Sequence, residues 1–433
     1  MRRGAFSHFW RISVRSAQIA AAGALAAGTF ARAWMELRRR ARDEATARAA
    51  GRALVGLSAR LGATFIKIGQ IASTRADLLP RALVDELSAL QDRVPPFAFD
   101  VVRRTIESEL GVPLASIYAR FDPEPVAAAS VAQVHRAVLH DGGAVVAVKV
   151  RRPDIVDKVR LDRSILLVVA RTLERLAPSL RLVSLESAVR MFCEAVEEQI
   201  HFTREAANNT RFAANFAADP DIAFPRLHPR LCSDAVLTME FIEGVHEAEL
   251  EAHGIDVHRV VTAGMRCVCR MIFLHGFVHA DLHAGNLRFF PPGRVVLLDL
   301  GLVGRLSDED RITTARTLYA FATGDGRTVA QMFYEHAPFK ATPDYGAYER
   351  EVIALVDSLY RRGLGSMQVT VEIGRIFDVL RRHRIHARSH MTMVNLALMA
   401  AEGLGKRLDP DLSLTDEALP YLAEAIGVGS VRG

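Results

Sequence analysis

One run of the chain, HGFVHADLHAGNLRFFPPGRVVLLDLG (275–301), holds a histidine, two carboxylates and an amide at spacings that suit one kind of chemistry. His279, Asp281 and Asn286 stand as H-x-D-x-x-x-x-N, and Asp299 follows thirteen residues after Asn286, in the triplet DLG. Asp281 is suited to orient an attacking hydroxyl or water. Asn286 and Asp299 offer the hard oxygen donors that Mg²⁺ prefers. Pro291-Pro292-Gly293 predicts a turn, and the apolar VVLL (295–298) predicts a buried strand. That hairpin would carry Asp299 back towards Asn286. The order and spacing are those of a phosphoryl-transfer catalytic loop followed by a metal-binding Asp-x-Gly. Residues that only cap a turn would not need so many matches.

Such chemistry also needs a cation for the α/β-phosphates and an acid to orient it. Lys149 stands in the apolar run VVAVKV (145–150), in a chain with five lysines against fifty arginines. Where arginine is the default cation, a lysine inside a strand points to a specific need. Glu205, in FTREAANNTRF (202–212), is the chosen partner, 56 residues later. Alone it would pass for a solvated helical acid. The loop before the lysine strand reads PVAAASVAQVH (125–135), with Ala127, Ala128, Ala129 and Ser130 where a kinase has glycines. Alanine denies most positive-φ backbone but keeps side chains small. The loop therefore reads as a stiff lid over a nucleotide, not as a damaged glycine loop.

These residues must be held by a small sheet among helices. SVAQVHRAVLH (130–140) and AVVAVKV (144–150) predict two strands joined through Asp141-Gly142-Gly143. Further strands are predicted at 235–244 and 294–301. Helical periodicity covers 36–60, 57–75, 81–92, 100–110, 154–178, 184–217 and 256–276, and everything after about 306. The class is α+β. Four segments are expected: an arm (1–50), a helical extension (51–115), a sheet-bearing lobe (116–245) and a helical lobe (246–433).

Half of the 433 residues are hydrophobic and 24% charged, a composition that folds. The net charge of +5 is uneven. Residues 1–60 carry twelve arginines against three acids, a net +9, which leaves −4 for the rest. Such an arm suits anionic lipid headgroups, and nucleic acid less well, or it is a solvated helical face. Ser16–Ala31 is uncharged but only sixteen residues long and rich in Ala and Gly, below the ~20 apolar residues of a full span. Three placements fit it: a marginal span, an interfacial helix, or a helix packed on the protein. Four cysteines (193, 232, 267, 269) form no disulfide or zinc pattern, so packing in a reducing, cytosolic setting is expected.

KIGQ (67–70), AAASVAQVH (127–135), VAVKV (146–150), REAAN (204–208), HADLHAGN (279–286) and LLDLGLVGRL (297–306) occur in this order. Together they resemble the UbiB/AarF family of atypical, kinase-like proteins, from about residue 50 to about 400. The resemblance implies a protein-kinase-like two-lobed fold. It implies a small antiparallel N-lobe sheet, a helical C-lobe and an N-terminal helical extension. It implies ATP or ADP with Mg²⁺ as cofactors, and places Lys67 and Gln70 of the K-x-G-Q helix beside the nucleotide. It further implies ATPase-like activity at membranes, linked to ubiquinone or other isoprenoid-lipid metabolism. The expected partners are a membrane or quinone-type lipid and a lipid-biosynthesis complex. Peripheral attachment to the cytoplasmic face of an inner membrane, through the arm, goes with them.

One feature supports the resemblance and one departs from it. LSDEDRITTARTLYAF (306–321) starts a helix almost directly after DLG, so no long activation segment and no A-P-E for a protein substrate is present. The family usually carries an acidic pair six and four residues before the helix glutamate; here those places hold Gln199 and His201. Either Lys67 meets another acid or control of the site is relaxed. Two other readings stay open: a small-molecule phosphotransferase of the aminoglycoside or choline kinase type, and a nucleotide-sensing scaffold with little catalysis.

Overall fold

The computed structural model describes residues 2–37, 42–73, 79–90, 95–176, 185–362, 369–410 and 412–427. The chain divides into two compact units, Met1–Ala206 with Arg226–Phe241, and Ala207–Pro225 with Ile242–Gly433. The fold is α+β, as expected, with a small antiparallel sheet in the first unit.

In that unit the predicted hairpin forms. Strands Ala132–Leu139 and Val145–Arg151 pair antiparallel, and Tyr118–Phe121 and Val236–Glu240 extend the sheet on either side. The period-2 alternation of a strand sorts its side chains. Val146, Val148 and Val150 face a core built with Val102 and Ile106 of helix Phe99–Leu110. Lys149 lies on the opposite face. There Leu237 joins a second core made with helices Ala63–Ser73, Ile155–Leu176 and Leu185–Gln199.

Helix boundaries depart from the predicted ones in two places. The helices predicted at 36–60 and 57–75 meet at Gly62, whose φ of 87° an α-helix cannot hold, so they run Arg42–Leu61 and Ala63–Ser73. The 184–217 pattern divides into Leu185–Gln199 and Phe202–Asn215. Asp234 and Arg151 hold this second break. The Phe202 N–H donates to the Asp234 carbonyl (3.1 Å), and Arg151 Nη1 donates to the Ile200 carbonyl (2.8 Å). Buried Ile200 anchors the turn in the core.

The arm is one helix, Arg2–Leu37. One side packs: Ala22 and Ala33 are buried, as are Ala45 and Ala49 of the neighbouring Arg42–Leu61 helix. Arg15 is fixed by Asp162, with Nε and Nη2 donating to its two oxygens (2.7 and 2.9 Å). No helix among the described residues is long and apolar enough to cross a membrane.

The second unit is mainly helical. Helix Val257–Cys269 runs into a π-turn at Arg270–Leu274, and together with Asp308–Ala322, Tyr345–Arg362 and Ser389–Leu408 it surrounds a large apolar core. A three-stranded sheet joins Ile222–Ala223, Arg294–Leu297 and Leu287–Phe290. The region after 306 is not wholly helical: Phe339–Lys340 pairs with Ile385–His386. Two-residue strands carry no periodicity, so the pattern could not show them.

Candidate active site

The first unit brings Lys149 and Glu205 together. Lys149 is 8% exposed and Glu205 4%, and the ammonium donates to both carboxylate oxygens at 2.8 Å. The helix break at Ile200–His201 makes this pairing possible, because it starts a new helix at Phe202 and sets Glu205 in its first turn. Phe202 lies under the ammonium, 5.4 Å from ring centre to Nζ.

The alanine loop is a short strand. Ala127 and Ala128 pair with Val134 and Gln133, and the Ala129 N–H closes the turn on the Ala132 carbonyl (2.8 Å). Among the described residues only Asp154 and Arg384 hold positive φ without being glycine, so these alanines adopt ordinary backbone. Ser130 is buried at the turn. Arg152 Nε donates to the Ala129 carbonyl (2.9 Å) and its backbone N–H to the Val131 carbonyl (2.9 Å), tying the loop to the end of the lysine strand.

The K-x-G-Q helix packs on helix Leu185–Gln199 through Ile71 and Ala72. Its glycine has a steric cause: a Cβ on Gly69 would lie 2.3 Å from Leu90 Cδ1. Gln70 Nε2 donates to the Leu90 carbonyl (3.4 Å), so both residues grip the same point of the chain. Lys67 is half-buried on this helix. At the places of the expected acidic pair, Gln199 is buried, and His201 Nδ1 contacts Asp234 (2.9 Å). Burial pushes the Asp234 carboxyl up, but hydrogen bonds from Arg151 and His201 outweigh it and hold the pKa below the ordinary value.

The second unit gathers Asp281, Asn286 and Asp299 around His279. The predicted hairpin is present: Leu287–Phe290 and Arg294–Leu297 pair across Pro291-Pro292-Gly293. Strand Phe277–His279 pairs with Val303–Arg305, so both ends of the motif enter on paired backbone. His279 is fully buried, with the Phe212 ring 6.4 Å away. Its Nδ1 accepts from the Asp281 N–H (3.1 Å), and its Nε2 proton goes to the Asp299 carbonyl. Burial pushes its pKa down, against the pull of that carbonyl and the two carboxylates, so it is a neutral strut between the two aspartates' backbones.

Asn286 Nδ2 donates to the Asp281 carbonyl (3.2 Å), which leaves its carbonyl oxygen as the atom of ligand type. Asp299 Oδ1 accepts from the Gly301 N–H (3.0 Å). These are hard oxygen donors and fit Mg²⁺. Among the described residues, no group of three or more His, Cys, Asp or Glu side chains is placed to hold a metal. A Mg²⁺ on Asn286 and Asp299 would therefore complete its shell with water and phosphate oxygens, as this ion commonly does.

Sequence reasoning missed Arg152, Asp234 and Asn208. Asn208 Nδ2 donates to the Leu300 carbonyl inside the DLG (3.0 Å). Its signal was its place one helical turn after Glu205. Arg152 followed the lysine strand visibly, but its target lies 23 residues back. The four cysteines are free. Burial pushes the Cys193 thiol up to about 11 and Cys269 to about 12, so they behave as small apolar residues.

Residues 89–333 match the ABC1 atypical kinase-like domain, and residues 352–413 match the UbiB helical domain. A protein of Pseudomonas fluorescens (strain Pf0-1) named probable protein kinase UbiB is 34% identical over 369 residues, covering 84% of this chain and 69% of that one. An uncharacterized protein of Synechocystis sp. (strain ATCC 27184 / PCC 6803 / Kazusa) is 32% identical over 404 residues, covering 91% and 58%. Among solved structures, Rv3197 of Mycobacterium tuberculosis, in complex with erythromycin, is similar with a TM-score of 0.56. It is 22% identical, over 85% of this chain and 93% of that one, a likeness of fold.

Proposed function

Because the chain belongs to the ABC1 atypical kinase-like family of UbiB proteins, we propose that it is an ATP- and Mg²⁺-dependent atypical kinase or ATPase serving isoprenoid-quinone or membrane-lipid metabolism. The observation that carries this reading is the buried Lys149–Glu205 pair, with the ammonium on both carboxylate oxygens at 2.8 Å. A buried ion pair is costly to assemble from solvated groups, and phosphate binding gives it a use. Lys149 holds the phosphates and Glu205 orients it. The alanine loop, Ala127 to Ser130, covers the nucleotide, and Lys67 and Gln70 belong to the helix that borders it. Asn286 and Asp299 hold Mg²⁺, which neutralises the charge on the phosphate oxygens. Asp281 orients the attacking hydroxyl or water.

Peripheral contact with an anionic membrane surface, a quinone-type lipid and a lipid-biosynthesis complex complete the proposal. The arm helix supports the first. Trp10, Val14, Leu25 and Met35 are exposed on it and fall within an arc of about 80° at 100° per residue. A second reading, a nucleotide-sensing scaffold with little turnover, is favoured by one observation: neutral, buried Gln199 stands where an acid was expected.

The deciding experiment is ATP hydrolysis and ATP binding by the purified chain, with and without Mg²⁺. Asp281→Asn is expected to abolish turnover, a loss of at least 100-fold, while ATP binding stays within a few-fold of wild type. Equal turnover in that variant removes the assignment of Asp281. Binding without hydrolysis in the wild-type chain, lipid vesicles included, selects the scaffold.

A further inference from the structure

The second unit contains a cavity of about 250 Å³ directly behind the segment that joins Asp281 to Asn286. Its walls are helix Val257–Cys269, helix Ser389–Leu408, the strand pair Leu287–Phe290 and Arg294–Leu297, and residues 282–284 of the catalytic loop. The lining is apolar almost throughout, with Val261, Met265, Leu282, Leu297, Met399 and Leu404 typical of it. Two polar side chains join them, His283 and Arg407.

Of the three lining glycines inside helices, Gly264 and Gly403 differ from Gly405. Glycine is a poor helix former, and alanine is the best. A Cβ added at either position meets nothing within 4 Å. Packing therefore does not require these glycines. Gly405 is the contrast: a Cβ there would lie 2.5 Å from Leu412 Cδ2, so close approach accounts for it. Helix stability alone would favour alanine at 264 and 403. At half-buried Gly264 glycine preserves open volume, whereas Gly403 is exposed at the rim of the cavity.

Apolar walls around open space lose the dispersion contacts that a close-packed interior makes. An apolar void of about 150 Å³ is already enough to take up benzene. We propose that this cavity is a binding site for the hydrocarbon chain of a neutral amphiphile, with a hydroxyl-type head at His283 and Arg407. The neutral head follows from the charges present. Arg407 donates from Nη2 to Glu247 Oε1 (3.1 Å), so its charge is already offset. His283 Nδ1 accepts from the Gly285 N–H (3.1 Å), which puts the ring proton on Nε2 as a donor. A carboxylate or phosphate would find no uncompensated cation among these residues. The occupant would rest on residues 282–284 and so steady the loop between Asp281 and Asn286. The site deepens the lipid half of the function proposed above and rests on it for its role. The binding step itself is independent of nucleotide chemistry.

The test uses the full chain with 1-octanol and octanoate, which share a chain and differ in head charge. Calorimetric titration is expected to show saturable one-to-one binding of 1-octanol, at least tenfold tighter than octanoate. Hydrogen exchange should slow at the amides of residues 282–286 when 1-octanol is present. Gly264→Leu fills the cavity from its half-buried wall, and Gly403→Leu narrows it at the exposed rim, on a different helix. Each should weaken 1-octanol binding at least tenfold without lowering the melting temperature. Non-saturable partitioning, or wild-type affinity in whichever leucine variant folds, overturns the proposal. Equal affinity for octanoate overturns the neutral head. ATP turnover is not among the readouts, so failure of the kinase reading would leave 1-octanol binding intact.

Discussion

Lys149 and Glu205 show what burial does to an ion pair. Each partner is expensive to desolvate alone, and each makes the other tolerable. Lys149→Met removes the charge that both Glu205 oxygens engage. The expected loss is about 3–5 kcal/mol, read as a lower denaturant midpoint. Lys149→Met with Glu205→Leu should recover most of it, because two apolar groups replace the pair. A single variant no weaker than the double one would remove the pair from this role. His135 gives a second residue-scale outcome. It is fully buried in the sheet beside Phe121 (5.3 Å between ring centres), and Nδ1–H donates to the Asp122 carbonyl (3.0 Å). Burial pushes its pKa below the ordinary value. Acid therefore protonates the unfolded chain first. The stability it contributes is complete above about pH 6.5 and is lost as the pH falls through the folded value. Melting temperature should drop on acidification below that point, and less steeply in His135→Gln. His275, His279 and His390 are lowered by burial too, so the slope is reduced and not abolished. An unchanged slope would exclude His135.

Among the elements, the arm helix is held by a buried polar contact at Arg15 within a largely alanine interface. Asp162 is fully buried on helix Ile155–Leu176, and Arg15 reaches it across 147 residues of sequence. The same guanidinium donates to the Leu61 carbonyl (2.9 Å), where the neighbouring helix ends, and lies over the Phe65 ring (5.7 Å). Alanine-on-alanine packing buries little area per residue, so Arg15 carries much of the docking. Arg15→Met should loosen the helix by about 3–5 kcal/mol. Limited proteolysis would then cut within residues 10–37 at least tenfold faster, while the remaining fragment keeps its far-ultraviolet circular dichroism. Unchanged cleavage would mean that packing alone holds the arm. Asp234 and Arg151 play the corresponding part at the break before Phe202, a place where periodicity alone predicted an unbroken helix.

Across the whole molecule, charge is segregated: +9 within residues 1–60 and −4 elsewhere. Each arginine that reaches an anionic lipid surface contributes about 1 kcal/mol, and the attraction fades within a Debye length of about 10 Å at 0.1 M salt. Co-sedimentation of the full chain with vesicles containing phosphatidylserine should be strong at low salt and fall several-fold by 0.5 M. Vesicles of phosphatidylcholine alone should retain little. Salt-independent binding would shift the contact to the exposed apolar face of the arm, and no binding to either would remove the membrane contact.

What the sequence determined by itself was whatever is local. His279, Asp281, Asn286 and Asp299 span 21 residues, and one turn at 291–293 folds them together, so their spacing already encoded the hairpin. The alternation of Val146, Val148 and Val150 likewise put Lys149 on the other face of its strand. Tertiary structure decided the rest. Where the helix breaks before Glu205, what Gly69 and Gln70 hold, and which side of the arm is buried each depend on groups brought from 20 to 147 residues away. Helical and strand periodicity records which face of an element is apolar. It holds no record of which distant face will cover it, and a buried polar contact is specified only once that partner has arrived.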